Sequence, residues 1–269
     1  MKIKAYAKIN LALEVKESVN GYHMLNNIMA KIDLFDEIEI KKSDHDFIVN
    51  DTIENNIILK ALKLFKNKYK IDDNFEIKLT KNIPFSAGLG GESTDAAAML
   101  LLLCQFYGIN DDVSDLAKEL GSDVSFFLFD SVSLCQGRGE IVTPLESNLG
   151  GLELLLIKIK DGLSTKEVYK NYEYLGQNKD KKIKNVIDSL KNGDLELLKD
   201  NIFNDLTSTA LNLNRKLKNL YEKLNKITKV YFSGSGPCLY VISPTNDEKN
   251  AIKALLDKDV SLFMIHLLH

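Results

Sequence analysis

The chain has 269 residues, 45% hydrophobic and 27% charged, the balance of a globular protein with room for one large domain or two modest ones. Its net charge is −3, and of its 35 basic residues only Arg138 and Arg215 are arginines. This speaks against a nucleic-acid binder with a basic face and leaves anion binding to lysines and main-chain amides.

The start, Met1-Lys2-Ile3-Lys4, lacks the apolar core of a signal peptide. The most apolar run, Ala96 to Cys104, is too short to span a bilayer, so no membrane partner is expected. Cys104, Cys135 and Cys238 are an odd, scattered set, neither a disulfide framework nor a metal cluster, which fits a reducing cytoplasm. Cys104 lies in an apolar run and reads as core. The four histidines show no metalloprotease-type spacing.

Residues 2–15 alternate. Ile3, Ala5, Ala7, Ile9, Leu11, Leu13 and Val15 share one parity, and Lys2, Lys4, Tyr6, Lys8, Asn10 and Glu14 the other, with Ala12 the exception. The spacing predicts a half-buried strand carrying Lys8 and Asn10 on its polar side. A turn follows at Val19-Asn20-Gly21, then further strands over 24–41. Helical spacing covers about 55–69, a short strand 75–79, a loop 81–91 and an apolar helix about 93–107. A helix from Val113 stops at Gly121, and a short helix and a strand follow within 124–135. A strand over 152–160 opens the second half, with a domain boundary near 150. Residues 166–226 read as helical. Then come strand 229–233, a Ser-Gly-Ser-Gly turn, strand 239–243, helix 246–257 and strand 260–267, an α+β pattern.

The segment carrying chemistry is Pro84-Phe85-Ser86-Ala87-Gly88-Leu89-Gly90-Gly91-Glu92-Ser93-Thr94-Asp95. Three glycines in four positions permit backbone conformations closed to other residues and let N–H groups crowd around an anion. The helix behind them adds unpaired donors and a partial positive charge. Ser93 and Thr94 could donate hydroxyls to phosphate oxygens or to a magnesium ion. Taken alone, the segment is equally a strand-to-helix turn capped by Ser93 or Thr94. It is not a Walker A loop, having no lysine, nor a dinucleotide fingerprint, having Ser93 where the third glycine belongs.

This segment resembles the phosphate loop of the GHMP kinases. Ala7-Lys8-Ile9-Asn10-Leu11 resembles that family's first motif, and Phe232-Ser233-Gly234-Ser235-Gly236-Pro237 its third, in the same order along the chain. Gly21-Tyr22-His23, Leu120-Gly121-Ser122-Asp123, Gly137-Arg138-Gly139-Glu140 and Asn204-Asp205-Leu206 are similar to the branch whose substrate is a cytidine diphosphate-linked polyol, 4-diphosphocytidyl-2-C-methyl-D-erythritol. Departures from the pattern are Asn20 before Gly-Tyr-His, Glu92 where the loop commonly has glycine, and Ser125 where a proline is common.

The resemblance implies a two-domain fold. Residues 1–150 would form a ribosomal S5 domain 2-like unit bearing the loop, and 151–269 a ferredoxin-like unit. It implies ATP-dependent phosphorylation of the polyol 2-hydroxyl, with ATP and Mg2+ as cofactors. Lys8 and Asp123 would be catalytic. Asn10, Tyr22, His23 and Tyr169 would bind substrate. Pro84, Ser86, Ala87, Gly88, Leu89, Gly90, Gly91, Ser93 and Thr94 would hold the nucleotide. Asp95 would support the helix start rather than ligate metal, Glu92 would point outward, and the 233–236 turn would buttress the loop. Without the resemblance, Asp123 reads as an N-cap, Lys8 as a solvent-facing strand lysine and Tyr22-His23 as a hairpin turn. A homoserine or mevalonate kinase, or a non-catalytic nucleotide-binding protein, are the competing readings.

Overall fold

The computed structural model describes residues 1–49, 56–160, 162–174 and 176–268. His269 and the first residue of the helix expected from 55 lie outside them.

Strand β1 (Lys2–Val19) turns at Asn20-Gly21 into β2 (Tyr22–Ser43), one strand of 22 residues where several were expected. Both turn residues have positive φ, 53° and 81°. Then follow β3 (Phe47–Ile48), α1 (Ile57–Tyr69), β4 (Asn74–Thr80), α2 (Gly91–Tyr107), α3 (Ser114–Leu120), α4 (Val124–Phe127), β5 (Ser133–Gly137) and β6 (Ile141–Pro144). The second half runs β7 (Glu153–Ile159), α5 (Thr165–Lys170), α6 (Asp180–Asn192), α7 (Leu195–Asn201), β8 (Phe203–Asn204), α8 (Thr207–Leu213), α9 (Arg215–Leu224), β9 (Tyr231–Ser233), β10 (Cys238–Ile242), α10 (Asn246–Leu255) and β11 (Val260–His266).

Two sheets result. The first runs β3-β4-β2-β1-β8, with β5 also on β2 and β6 on β5. The second runs β11-β7-β10-β9, all antiparallel, the order of a ferredoxin-like layer. β8 crosses from the C-terminal half into the first sheet and pairs in parallel with Ala12 and Leu13 of β1.

Layer order follows from which residues share a core. Helices α1 to α4 cover one face of the first sheet through Leu62, Phe65, Met99, Leu103 and Phe126. Ala7, Ile9 and Leu11 of its other face pack against Leu154, Leu156, Cys238 and Tyr240 of the second sheet. The far side of the second sheet, including Ile157, Leu239 and Val241, is covered by α5 and α8 to α10. The strand β1 is therefore buried on both faces from Ala7 to Val15, and Lys8, Asn10 and Glu14 are buried too. That corrects the half-buried reading. Alternation alone cannot reveal that both faces of the strand are covered.

The alternating apolar residues also do not share one core. Ala5 belongs to the helix-side core, Ala7 to Leu11 to the sheet–sheet core, and Leu13 and Val15 to the third. Register shifts between Tyr6 and Lys8 and between Asn10 and Ala12 explain it. An irregularity of one residue sends the following side chains to the opposite face. Ala12 breaks the alternation because it sits at the second shift.

Cys104, expected in the core, is only half-buried, whereas Cys135 and Cys238 are buried. Among the described residues no helix is long and apolar enough to cross a membrane.

Candidate active site

The loop after β4 enters α2 two residues earlier than expected. Gly90 is the N-cap, in the left-handed conformation (φ 73°), and no side chain caps the helix. Ser93 and Thr94 thus stand inside the first turn instead of closing it. The first intrahelical bond is Thr94 N–H to Gly90 O at 2.8 Å, which leaves the N–H groups of Gly91, Glu92 and Ser93 as donors at the positive end of a 17-residue helix.

Close backbone contacts account for the glycines. A Cβ on Gly88 (φ 72°) would lie 2.5 Å from the Ser233 carbonyl oxygen, and one on Gly90 2.6 Å from the Phe127 ring. Gly234 touches the Gly88 main chain from the other side, where its own Cβ would meet Gly88 O at 3.0 Å. Ser233 Oγ donates to Gly88 O at 3.2 Å. Asn204 Nδ2 donates to Gly234 O (2.7 Å) and Phe232 O (3.2 Å), fastening β8 to the same turn. Asp205 accepts from the Val15 main chain at 3.0 Å and pairs with Lys179. The Asn204-Asp205 match therefore has a positioning role.

Strand β1 meets the loop through Lys8, whose N–H donates to Leu89 O at 3.0 Å. The Lys8 ammonium donates to Asn10 Oδ1 (2.7 Å), and Asn10 Nδ2 donates on to Asn27 Oδ1 (2.7 Å). Tyr240 OH donates to the Asn10 carbonyl at 2.7 Å, fixing that residue from the second sheet. Burial lowers the Lys8 pKa from its ordinary value, and the Asp123 carboxylate pulls it back upward. Lys8 feels Asp123 through the field; its direct bond is to Asn10. Asp123 does stand at the N-cap of α4, but its side chain makes no capping bond and lines the cleft instead.

The loop, Lys8, Asn10, Asn27 and Asp123 open on one cavity of about 610 Å³. Pro84, Ser86 to Gly91 and Ser93 line it too, and so do Tyr22, His23 and Tyr169. Tyr22 is 59% exposed. The His23 ring lies 5.8 Å from that of Tyr169 and 5.8 Å from that of Tyr172, while its Nδ1 faces the Lys16 carbonyl at 3.4 Å. Thr94 is the exception among the expected residues. It is 2% exposed, outside the cavity lining, because the earlier helix start turns its position inward. Glu92 is exposed and lines the cavity. A second cavity of about 720 Å³, near Tyr172, Lys179 and Asp205, contains none of the expected site residues.

Asp95 supports the loop from beneath. It pairs with Lys81 Nζ at 2.7 Å, and Lys81 also pairs with Asp36. Asp36 accepts the Asn82 and Ile83 N–H groups at 2.5 and 2.8 Å. Burial pushes the Asp95 pKa up to about 7, with Lys81 working against the rise. Lys81 lines the cavity, as do Asn27, Arg138, Thr165 and Ser235. Thr165 and Ser235 hydroxyls share a bond of 2.8 Å. Nothing local in the sequence marks Lys81 or Asn27. Their partners are Asp36 and Asn10, far away in the chain, and only sheet pairing brings them near.

Among the described residues no cluster of three or more His, Cys, Asp or Glu side chains is arranged to hold a metal ion. The hydroxyl at the loop, Ser93, fits a magnesium ion held chiefly by phosphate oxygens and water, the usual mode for that ion at nucleotide sites.

Residues 56–131 match the GHMP kinases N terminal domain, and residues 186–260 match GHMP kinases C terminal. A Clostridium beijerinckii protein named 4-diphosphocytidyl-2-C-methyl-D-erythritol kinase is 39% identical over 254 residues, spanning 90% of each chain. A protein of the same name from Caldanaerobacter subterraneus subsp. tengcongensis is 35% identical over 270 residues, spanning 96% of this chain and 92% of its own. A crystal structure of 4-(cytidine 5'-diphospho)-2C-methyl-D-erythritol kinase superposes with a TM-score of 0.84 at 27% identity, covering 100% of both chains. Homoserine kinase from Cytophaga hutchinsonii shares the fold, with a TM-score of 0.76 at 16% identity, covering 100% of this chain and 95% of its own.

Proposed function

The chain belongs to the GHMP kinases, and we propose that it transfers the γ-phosphate of ATP to the 2-hydroxyl of 4-diphosphocytidyl-2-C-methyl-D-erythritol, a step of non-mevalonate isoprenoid precursor synthesis. The observation that carries this is one cleft holding three things: the open helix start, the Lys8–Asp123 side, and the Tyr22–His23–Tyr169 end. Residues 1–150 supply the loop and residues 151–269 the turn that backs it.

The Gly88–Gly91 main chain and Ser93 bind the β- and γ-phosphates. Magnesium, when bound with the nucleotide, neutralises phosphate charge. Phosphoryl transfer then needs chiefly position and charge stabilisation. The acceptor oxygen bonds to the γ-phosphorus as the bridge to the β-phosphate breaks, and its proton passes to the Asp123 carboxylate. Asp123 is a weak base towards an alcohol, so it takes the proton late, once bonding to phosphorus has acidified the hydroxyl. Lys8, fixed by Asn10, orients that hydroxyl and offsets the charge gathering there. Tyr22 and Tyr169 offer aromatic faces to the pyrimidine, and His23 a polar edge.

ADP release measured with the cytidyl substrate, homoserine or mevalonate, with and without magnesium, tests the reading. Magnesium-dependent turnover of the cytidyl substrate alone supports it. Turnover of another alcohol in its place moves the chain to a different GHMP activity. ATP binding without turnover of any of them makes it a non-catalytic nucleotide binder.

A further inference from the structure

The hairpin between β5 and β6 carries Arg138 into the cleft. Flanking it, Gly137 and Gly139 have φ of 71° and 116°. The hairpin tip is held by its own main chain: Gly139 N–H donates to Gln136 O at 3.0 Å, and Arg138 N–H donates to Glu140 Oε2 at 2.7 Å. Glu140, the carboxylate nearest in sequence, accepts from the Arg138 main chain, and among the described residues no ion pair joins it to the guanidinium.

Two contacts place Arg138 between the ends of the site. Behind it, Gly139 backs onto Asp123, where a Cβ would lie 3.6 Å from Oδ1. In front, the guanidinium stands over the Tyr22 ring, with Cζ 5.1 Å from the centroid. Among the described residues the guanidinium thus rests on an aromatic face and pairs with no carboxylate. The residue is exposed. The only other arginine, Arg215, is the first residue of α9 and does not line the cavity.

From this geometry we infer that Arg138 recognises the diphosphate linking the nucleoside to the polyol, and so selects a nucleoside diphosphate conjugate over a free alcohol. This rests on the acceptor assigned above. With the pyrimidine at Tyr22 and the reacting hydroxyl at Asp123, the connecting group spans the interval that Arg138 occupies. A guanidinium is a planar fork that matches phosphate oxygens and also stacks on aromatic rings. Resting on Tyr22 holds it near the surface and short of hydrogen-bond acceptors. A phosphate supplies those acceptors without the ring having to move.

Calorimetric titration with cytidine and with cytidine 5′-diphosphate, the ATP site being filled with ADP, tests the assignment. The wild-type protein is expected to bind the diphosphate more tightly than the nucleoside. Arg138→Ala should weaken the diphosphate about tenfold or more and cytidine less than about twofold. Arg138→Lys, which keeps the charge and loses the fork, should fall between wild type and Arg138→Ala. Equal losses for both ligands would mean that Arg138 only supports the Tyr22 ring, and no loss for either would mean that it is idle; each result overturns the proposal. A wild-type protein that binds neither ligand overturns the acceptor reading itself, and the proposal with it. Unchanged melting temperatures in both variants establish that the exposed position does not govern folding.

Discussion

The carbonyl oxygen of Ser233 stands 2.5 Å from the point a Cβ on Gly88 would occupy. Two backbones, 145 residues apart, meet there without a side chain between them. The phosphate loop takes its shape from this contact with the second sheet as well as from its own glycines.

Gly88→Ala should therefore be severe. The left-handed backbone costs a non-glycine residue about 1–2 kcal/mol, and overpacking adds roughly 1–3 kcal/mol. A fall in melting temperature together with weaker ATP binding is the expected result. Gly91→Ala is the contrast, because its Cβ would meet only the Ile83 side chain at 3.2 Å and the end of Lys81 at 3.5 Å. That variant should remain closer to wild type in thermal melts than Gly88→Ala. If the two variants behave alike, the contact does not shape the loop.

Asp123→Asn and Lys8→Met should each lower kcat by about 10²–10⁴, the usual scale for acid–base groups. Methionine keeps the stem volume at the buried Lys8 position, so circular dichroism should report an intact fold. Steady-state kinetics with the cytidyl substrate supplies the check, and turnover near wild type would remove that residue from the chemistry.

Asp95 predicts a pH signature. Two carboxylates share the Lys81 ammonium, but Asp36 has two main-chain donors in addition, while Asp95 Oδ1 is buried without a partner. The folded pKa of Asp95, about 7, lies above its ordinary value of 3.8. The folded state thus binds this proton more tightly than the unfolded chain does. Its stabilising contribution is complete below the unfolded value and is lost as pH rises through the folded one. Asp95→Asn keeps the shape and removes the titration. Relative to wild type, the variant should gain stability between about pH 4 and about pH 7 in melts across that range. Parallel curves would show that Asp95 stays ionised throughout.

Ser125 is 2% exposed and its Oγ has no hydrogen-bond partner. Burying an unpaired hydroxyl costs about 1–3 kcal/mol on mutational scales. Ser125→Ala should therefore raise the melting temperature while leaving turnover as it is. A drop in stability would point to a bond that the hydroxyl makes and the fold requires.

Much of the site was legible in the chain because its signals are short-range. The glycine spacing, the apolar helix behind it and the alternation around Lys8 each depend on neighbours a few residues away, and resemblance to a known loop added their order. The residue pattern puts the helix start two residues late because Gly90, a left-handed N-cap without a side chain, carries no capping signature. That shift is what removes Thr94 from the cleft. β8 went unseen because two residues have no periodicity.

What the sequence determined by itself was the list of chemical parts: an anion-binding turn, a strand lysine, a carboxylate after a helix stop, and a tyrosine–histidine pair. Tertiary structure decided which parts meet and in what state. The second sheet closes over Ala7, Ile9 and Leu11 of β1, while Lys8 and Asn10 are buried on the other parity, Lys8 beside Gly90 of the loop and Asn10 bonded to Asn27. The same sheet also presses Ser233 against Gly88, and the pairing of β2 with β4 sets Asp36 beside Lys81. Burial and long-range contact depend on layers built from distant segments, and no local pattern of residue types carries that information.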